Sequence, residues 1–249
     1  MKRTLTFVAL AATLLSFSCQ KGDSGSGKGG NGKTEEEKGL GITIDGKFED
    51  WAGLNPAVVS VAKNDPGSPW SAVSEMRCCA DADFVYFYVK YNKTEVKELL
   101  EANDELFFRL NLNTDGEFTS GYTRYSLDAY DFIVEGALGD GNGGFADFAG
   151  TLFHRTYIEE KGKDDWKELL PSTSGLVSGK GAGNEYEILL ARELFNNAVP
   201  AEHKMGDEFF VGMRFYQGDW AELSNLPNAV VDEENPNGWG HLLKVTTVK

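Results

Sequence analysis

From Ile42 onward, apolar and β-branched residues come in short runs separated by Gly, Pro, Asn and Asp, a spacing that predicts strands more than long helices. The runs are Val58–Ala62, Val73–Cys78, Phe84–Tyr91, Leu106–Leu112, Tyr130–Glu135, Tyr186–Leu190, Phe209–Phe215 and Leu242–Val248. FVYFYVKY, Phe84–Tyr91, alternates most clearly. Val85, Phe87, Val89 and Tyr91 take one face, and Phe84, Tyr86, Tyr88 and Lys90 take the other, so one face is core and the second is aromatic and partly polar. Eight or more such strands over about 210 residues predict an all-β fold, a two-sheet antiparallel β-sandwich with a few short helices. Helical stretches are expected at Thr94–Glu105, Asp165–Leu170 and Ala191–Ala198, and a long loop or hairpin tip at Gly136–Gly150. Trp51 and Trp239 are expected in the core or at its seam. Cys78 and Cys79 are neighbours on a strand and face opposite ways, which predicts one buried thiol and one near the surface.

The segment before Ile42 has a different character. Lys2 and Arg3 precede an apolar run, Leu5–Phe17, that is too short to span a bilayer comfortably and reads as a signal peptide, residues 1–18. The boundary LSFSC resembles the lipobox of bacterial lipoproteins, which implies that Cys19 is acylated after cleavage. The lipidated Cys19 then opens a Gly-rich stretch, residues 19–41, with too few apolar side chains to offset the entropy of ordering. A coil of roughly 20 such residues would hold the domain, residues 42–249, about 25 Å from a membrane. The Lys and acidic residues just after Cys19 resemble surface-export signals of some Gram-negative lipoproteins, which places the domain on the outer membrane, exposed at the cell surface. Gly27–Thr34, GKGGNGKT, fits the P-loop pattern, but it lacks the buried strand before and the amphipathic helix after that a phosphate cradle needs.

Charge narrows the partners. The formal net charge is −15, from 24 Lys+Arg and 39 Asp+Glu, so a nucleic-acid backbone would be repelled. Three histidines and three cysteines, none in CxxC or HExxH spacing, are too few for a zinc-ligand array. The folded part carries no GxSxG elbow and no Cys/His/Asn arrangement, which argues against an enzyme. Asn111, Asn113 and Asp115, followed by Gly116, partly imitate a calcium loop with oxygen ligands at alternate positions. The first ligand is Asn, and the twelfth position, where a bidentate Glu is needed, is Tyr122. Calcium is the one cofactor the sequence suggests.

Three stretches taken in order resemble family 9-like carbohydrate-binding modules, part of the wider group of DOMON-like sandwiches. They are IDGKFEDW at Ile44–Trp51; the pair Asp81–Tyr91 and Asp104–Glu117; and the set Glu185–Phe195, Val211–Trp220 and Asn235–Val245. The resemblance implies a non-catalytic module that captures oligosaccharide or polysaccharide on an aromatic platform at the sandwich loops. Trp220 resembles the family's sugar-stacking tryptophan, with Tyr216 and Asp219 beside it, and Arg124 resembles the arginine used against sugar hydroxyls. The family's other stacking tryptophan has no counterpart here, since KELLEAN occupies that region; Trp70 and Tyr122 are the aromatics available to replace it. The alternative reading is an envelope subunit that uses the same aromatics against a protein, in glycan utilisation or envelope assembly, with no sugar ligand. A glycoside hydrolase ranks third, because with 39 acidic residues a pair of carboxylates carries no information.

Overall fold

The computed structural model describes residues 39–64, 72–92, 97–98, 100–101, 106–122, 129–140, 142–158, 163–227 and 242–249. The signal peptide, Cys19 and most of the Gly-rich stretch lie outside these residues, as do Trp70, Arg124 and Trp239. The chain forms α1 (Glu49–Ala52), β1 (Ser60–Lys63), β2 (Val73–Ala80), β3 (Phe84–Tyr91), β4 (Leu106–Asn113), β5 (Phe132–Ala137), β6 (Thr151–Ile158), β7 (Lys163–Leu170), β8 (Val177–Ala182), β9 (Glu185–Ala191), α2 (Arg192–Ala198), β10 (Glu208–Gln217), β11 (Glu222–Leu226) and β12 (Leu243–Thr246). These strands make two antiparallel sheets. The smaller has the order β1-β2-β3-β9-β8, and the larger runs β11-β10-β4-β5-β6-β7, with β12 continuing the β11 edge along β10.

The sandwich follows from period-two alternation. Leu106, Phe108, Leu110 and Leu112 of β4 and Phe209, Val211, Met213 and Phe215 of β10 share one core cluster with Val85, Phe87, Val89 and Tyr91 of β3 and with Tyr186, Ile188 and Leu190 of β9. Tyr91 meets Phe215 across the sheets with ring centroids 5.4 Å apart. Each such side chain contributes on the order of 1.5–3 kcal/mol by leaving water. The connection between β5 and β6 closes one flank of this core: Phe148 donates its backbone N–H to Gly179 of β8, and its ring packs where Gly136, Gly150 and Gly179 have no room for a Cβ. Phe145 sits likewise against Gly181 and Tyr186. The punctuation seen in Gly136–Gly150 is therefore a plug between the sheets as well as a loop.

The N-terminal part of the domain covers the outer face of the smaller sheet. Ile42 and Trp51 pack with Tyr86, Tyr88 and Cys79, which point away from the main core. Glu187 of β9 anchors this cover from beneath. Its Oε1 accepts from the N–H groups of Asp45 (2.7 Å) and Gly46 (2.8 Å), and its Oε2 accepts from the Trp51 indole (3.3 Å). The IDGKFEDW stretch thus seals the outer face of a sheet, with Trp51 buried as expected.

Two expectations change. Asp165–Leu170 is strand and not helix: its residues pair with β6, and the cross-strand ladder outweighs the helix preference of Lys, Glu and Leu. Both Cys78 and Cys79 are buried, because the N-terminal cover turns the second face of β2 into a small core of its own. Burial, with Asp81 nearby, pushes the Cys79 thiol up to about 12, and the Cys78 thiol rises as well, so neither is a ready nucleophile. The helix expected at Thr94–Glu105 is helical where described, at residues 97–98 and 100–101.

Replacing Glu187 with Ala should lower stability by about 2–3 kcal/mol, since it strips the acceptor from a buried indole N–H and two backbone donors. Urea denaturation followed by tryptophan emission checks this. Glu187→Gln, which keeps one acceptor oxygen, should lose less.

Candidate functional site

The alternation that sends Leu106, Phe108 and Leu110 inward sends Phe107, Arg109 and Asn111 to the outer face of the larger sheet. Register then sets their neighbours. Arg109 lies opposite Glu135 of β5 and Arg214 of β10, Phe107 opposite Tyr216, and on the neighbouring pair Arg155 of β6 lies opposite Trp166 of β7.

Arg109 is the hub of this face. It is only 6% exposed. Its Nε donates to Glu135 Oε2 at 2.8 Å and its Nη2 donates to the same oxygen. The guanidinium carbon lies 5.0 Å from the Tyr216 ring centre, 5.3 Å from Trp166 and 5.5 Å from Trp220. Burial disfavours its charge, but the Tyr216 and Glu135 oxygens outweigh that and hold its pKa above the ordinary arginine value. Arg155 forms a second centre, with its guanidinium 3.6 Å from the Tyr122 ring centre and 4.1 Å from that of Trp166, and with Nη1 donating to the Tyr130 hydroxyl. Arg214 pairs with Glu222 at 3.2 Å, and Glu222 also accepts from Asn225 at 2.6 Å. The outward side of the sheet is therefore a lattice of arginines among carboxylates and aromatic rings, with Arg109 and Arg155 each close to several π-faces.

Trp220 stands at one end of this lattice, in the turn between β10 and β11. Gln217 donates its N–H to Ala221 O and Trp220 donates to Gln217 O, which closes a three-residue hairpin loop. Its last position needs a left-handed residue, and Trp220 takes it at φ 66°. The indole is 50% exposed. It lies nearly flat on Phe107, with centroids 5.0 Å apart and an interplanar angle of 10°. The edge of Tyr216 meets it at 5.9 Å. Trp166, also partly exposed, stands on the other side of Arg109, with Phe153 at its edge 5.8 Å away. A fixed indole ring with a charged pair beside it can pack on an apolar ring face and hydrogen-bond the polar groups around that ring.

Of the residues singled out in the sequence, Trp220 and Tyr216 come together here. Tyr216 is buried and supports Arg109 and Trp220 from below. Asp219 is exposed and caps the turn, its Oδ1 accepting from Ala221 N at 3.0 Å. Tyr122 is buried beneath Arg155, so it is a floor and not a second platform. Arg124 and Trp70 lie outside the described residues. In the calcium-like stretch, Asn111 is buried on the outer face of β4. Asn113 ties two loops, donating to Glu117 O at 3.0 Å and Ala129 O at 2.9 Å while accepting from Gly116 N at 2.9 Å. Asp115 turns away from both, toward His203, 3.3 Å away. Sequence reasoning missed Phe107, Arg109, Glu135, Arg155 and Trp166. The arginine inside LFFRLNLN was the available signal, and the helical reading of residues 165–170 hid Trp166. A surface pocket of about 230 Å³ lies elsewhere, beside Trp51, Val61 and Arg77 on the smaller sheet's side.

No protein-family model matches the chain, and no curated protein does. Among solved structures, one similar chain comes from a structure described as "pH-induced modulation of Streptococcus parasanguinis adhesion by Fap1 fimbriae". It shares 9% identity over 77% of this chain and 90% of that one, with a TM-score of 0.30, a likeness too slight to carry fold or function. No helix among the described residues is long and apolar enough to cross a membrane.

Two substitutions should separate the frame from the platform. Glu135→Ala strands the buried Arg109 cation and should cost about 3–5 kcal/mol in urea denaturation. Trp220→Gly should shift stability by no more than about 1 kcal/mol, because relief of the left-handed strain offsets the lost stack on Phe107.

Proposed function

We propose that the protein is a non-catalytic glycan-binding surface lipoprotein that captures saccharide on the outer face of its larger sheet. The observation that carries this reading is Trp220. A tryptophan in the left-handed position of a tight hairpin costs on the order of 1–2 kcal/mol, and such strain is typically kept where the side chain has work to do. Here the strain presents a half-exposed indole, immobilised on Phe107, next to a buried ion pair. A pyranose ring offers C–H groups for the indole and hydroxyls for Arg109, Glu135, Arg214 and Glu222, with Trp166 bounding the site on the far side of Arg109. Asp219, and Arg124 and Trp70 by resemblance, would complete the rim.

The resemblance to family 9-like carbohydrate-binding modules, which implies a platform at the sandwich loops, shares Trp220 and Tyr216 with this site. The lipobox at Cys19 and the Gly-rich stretch after it would hold the module outside the outer membrane, lipid-anchored and within reach of polysaccharide. The exposed large apolar residues among those described, Val61, Phe118, Trp166, Leu194 and Trp220, lie in three separate elements and two separate loops, and the two on this face stand among charged side chains. That distribution favours a sugar over a broad apolar protein partner.

Calorimetric titration of the protein with a panel of mono- and oligosaccharides, with and without calcium, tests the reading. Saturable heat is expected for at least one oligosaccharide, with affinity at least tenfold weaker in Trp220→Ala and in Trp166→Ala. A folded protein that gives no heat with any sugar in the panel, or one whose binding ignores both substitutions, would overturn it.

A further inference from the structure

Away from the aromatic face, three segments distant in sequence bring together two carboxylates and an imidazole. Asp115 lies in the turn after β4, Asp131 immediately precedes β5, and His203 ends the single 3-10 turn Ala201–His203 that follows α2. One ligand-type atom from each lies within 4.8 Å of the other two. His203 Nδ1 is 3.3 Å from Asp115 Oδ2 and 3.8 Å from Asp131 Oδ2. The scaffold around them is fixed. Thr114 donates its hydroxyl to His203 O at 2.8 Å and its N–H to Asp131 Oδ2 at 3.3 Å, while Asp115 Oδ1 accepts from Glu117 N at 2.9 Å, which leaves Oδ2 facing the imidazole. Phe132 holds the other side of the His203 ring, edge to face at 5.4 Å.

This cluster is incompletely satisfied by the chain itself. Asp131 is 1% exposed, and its Oδ1 has no hydrogen-bond partner among the described residues. His203 Nδ1, buried between the two carboxylates, makes a hydrogen bond to neither. We propose that Asp115, Asp131 and His203 bind a first-row divalent metal ion of the zinc type, with one imidazole nitrogen and two carboxylate oxygens as protein ligands. Zinc–ligand bonds of about 2.0–2.2 Å place tetrahedral ligand atoms roughly 3.3–3.5 Å apart, close to the two spacings found here. Imidazole suits zinc, cobalt and nickel and is a poor partner for calcium, whose sites are built from oxygen. Three protein ligands leave a position for water, and the side chains of Asp115 and His203, each 16% exposed, leave a path inward.

The ion would pin the turn after β4, the start of β5 and the segment after α2 to one another. Its ligands do not overlap the residues that face sugar, so the site stands or falls independently of glycan binding.

The test is titration of chelator-treated protein with zinc, cobalt, manganese and calcium chlorides. One equivalent of zinc or cobalt per chain is expected, with a cobalt absorption band of nitrogen and oxygen coordination and a melting temperature raised by several degrees. His203→Gln and Asp115→Asn should each weaken zinc at least tenfold and abolish the thermal shift, with the far-ultraviolet circular dichroism unchanged. Asp131→Asn, nearly isosteric, should do the same, and the partly exposed Asp115 and His203 keep the test valid if that buried change impairs folding. Absence of saturable zinc or cobalt binding overturns the proposal. So does binding that survives both His203→Gln and Asp115→Asn, or a site that takes calcium alone.

Discussion

A slip of one residue by β4 against β10 would exchange the two faces of β4. Leu106, Phe108, Leu110 and Leu112 would turn to solvent, and Phe107, Arg109, Asn111 and Asn113 would enter the core. The hydrophobic penalty for that slip is large, and it fixes the outer face as firmly as it fixes the core. Arg109 and Glu135, like Phe107 and Tyr216, share the outer face because the leucines and phenylalanines between them must face inward. The chemistry of the outer face is thus written by residues that never touch it.

The same constraint explains how so many charges come to be buried on one side of a sheet. Arg109 and Arg155 are among the least exposed charged residues described, and Glu135, Glu222 and the rings of Tyr122, Tyr130, Tyr216 and Trp166 surround the arginine cations of this face. Taking a guanidinium out of water is costly unless carboxylates and π-faces replace the lost hydration. Planar guanidinium groups stack where ammonium groups would not, which is why arginine and not lysine fills these positions. What results is a surface whose side chains are held by ion pairs and ring contacts and keep little freedom of their own.

The sandwich class and the inner face of β3 were legible in alternation, the buried Trp51 in the motif around it, and Trp220 only through resemblance. Four strands escaped for distinct reasons. β8 carries Gly179 and Gly181, whose missing side chains make room for Phe148 and Phe145, and that reads as a loop. β11, ELSNL, is polar because it lies at the edge and faces the arginine lattice. β7 is rich in helix formers and becomes a strand only through β6. β6, TLFHRTYI, mixes the side chains of both faces without a clean period. The outer-face arginines were legible one at a time, but their partnership arises from pairing between strands distant in sequence, and no local motif encodes it. The grouping of Asp115, Asp131 and His203 has the same origin.

The chain described from residue 39 onward lies over the smaller sheet, tied there by Glu187 and Asp81, while Trp220 and Arg109 look outward from the larger one. The N-terminal cover and the arginine lattice therefore lie on opposite outer faces of the sandwich, with the main core between them. The Phe148 bond to Gly179 and the bond from Val248 N–H to Ala80 O each stitch a segment that follows or flanks the larger sheet to the smaller one. With the Ser60 hydroxyl bond to Lys244 O and the Tyr186 hydroxyl bond to Ala146 O, they join the two sheets by directional bonds as well as by apolar packing.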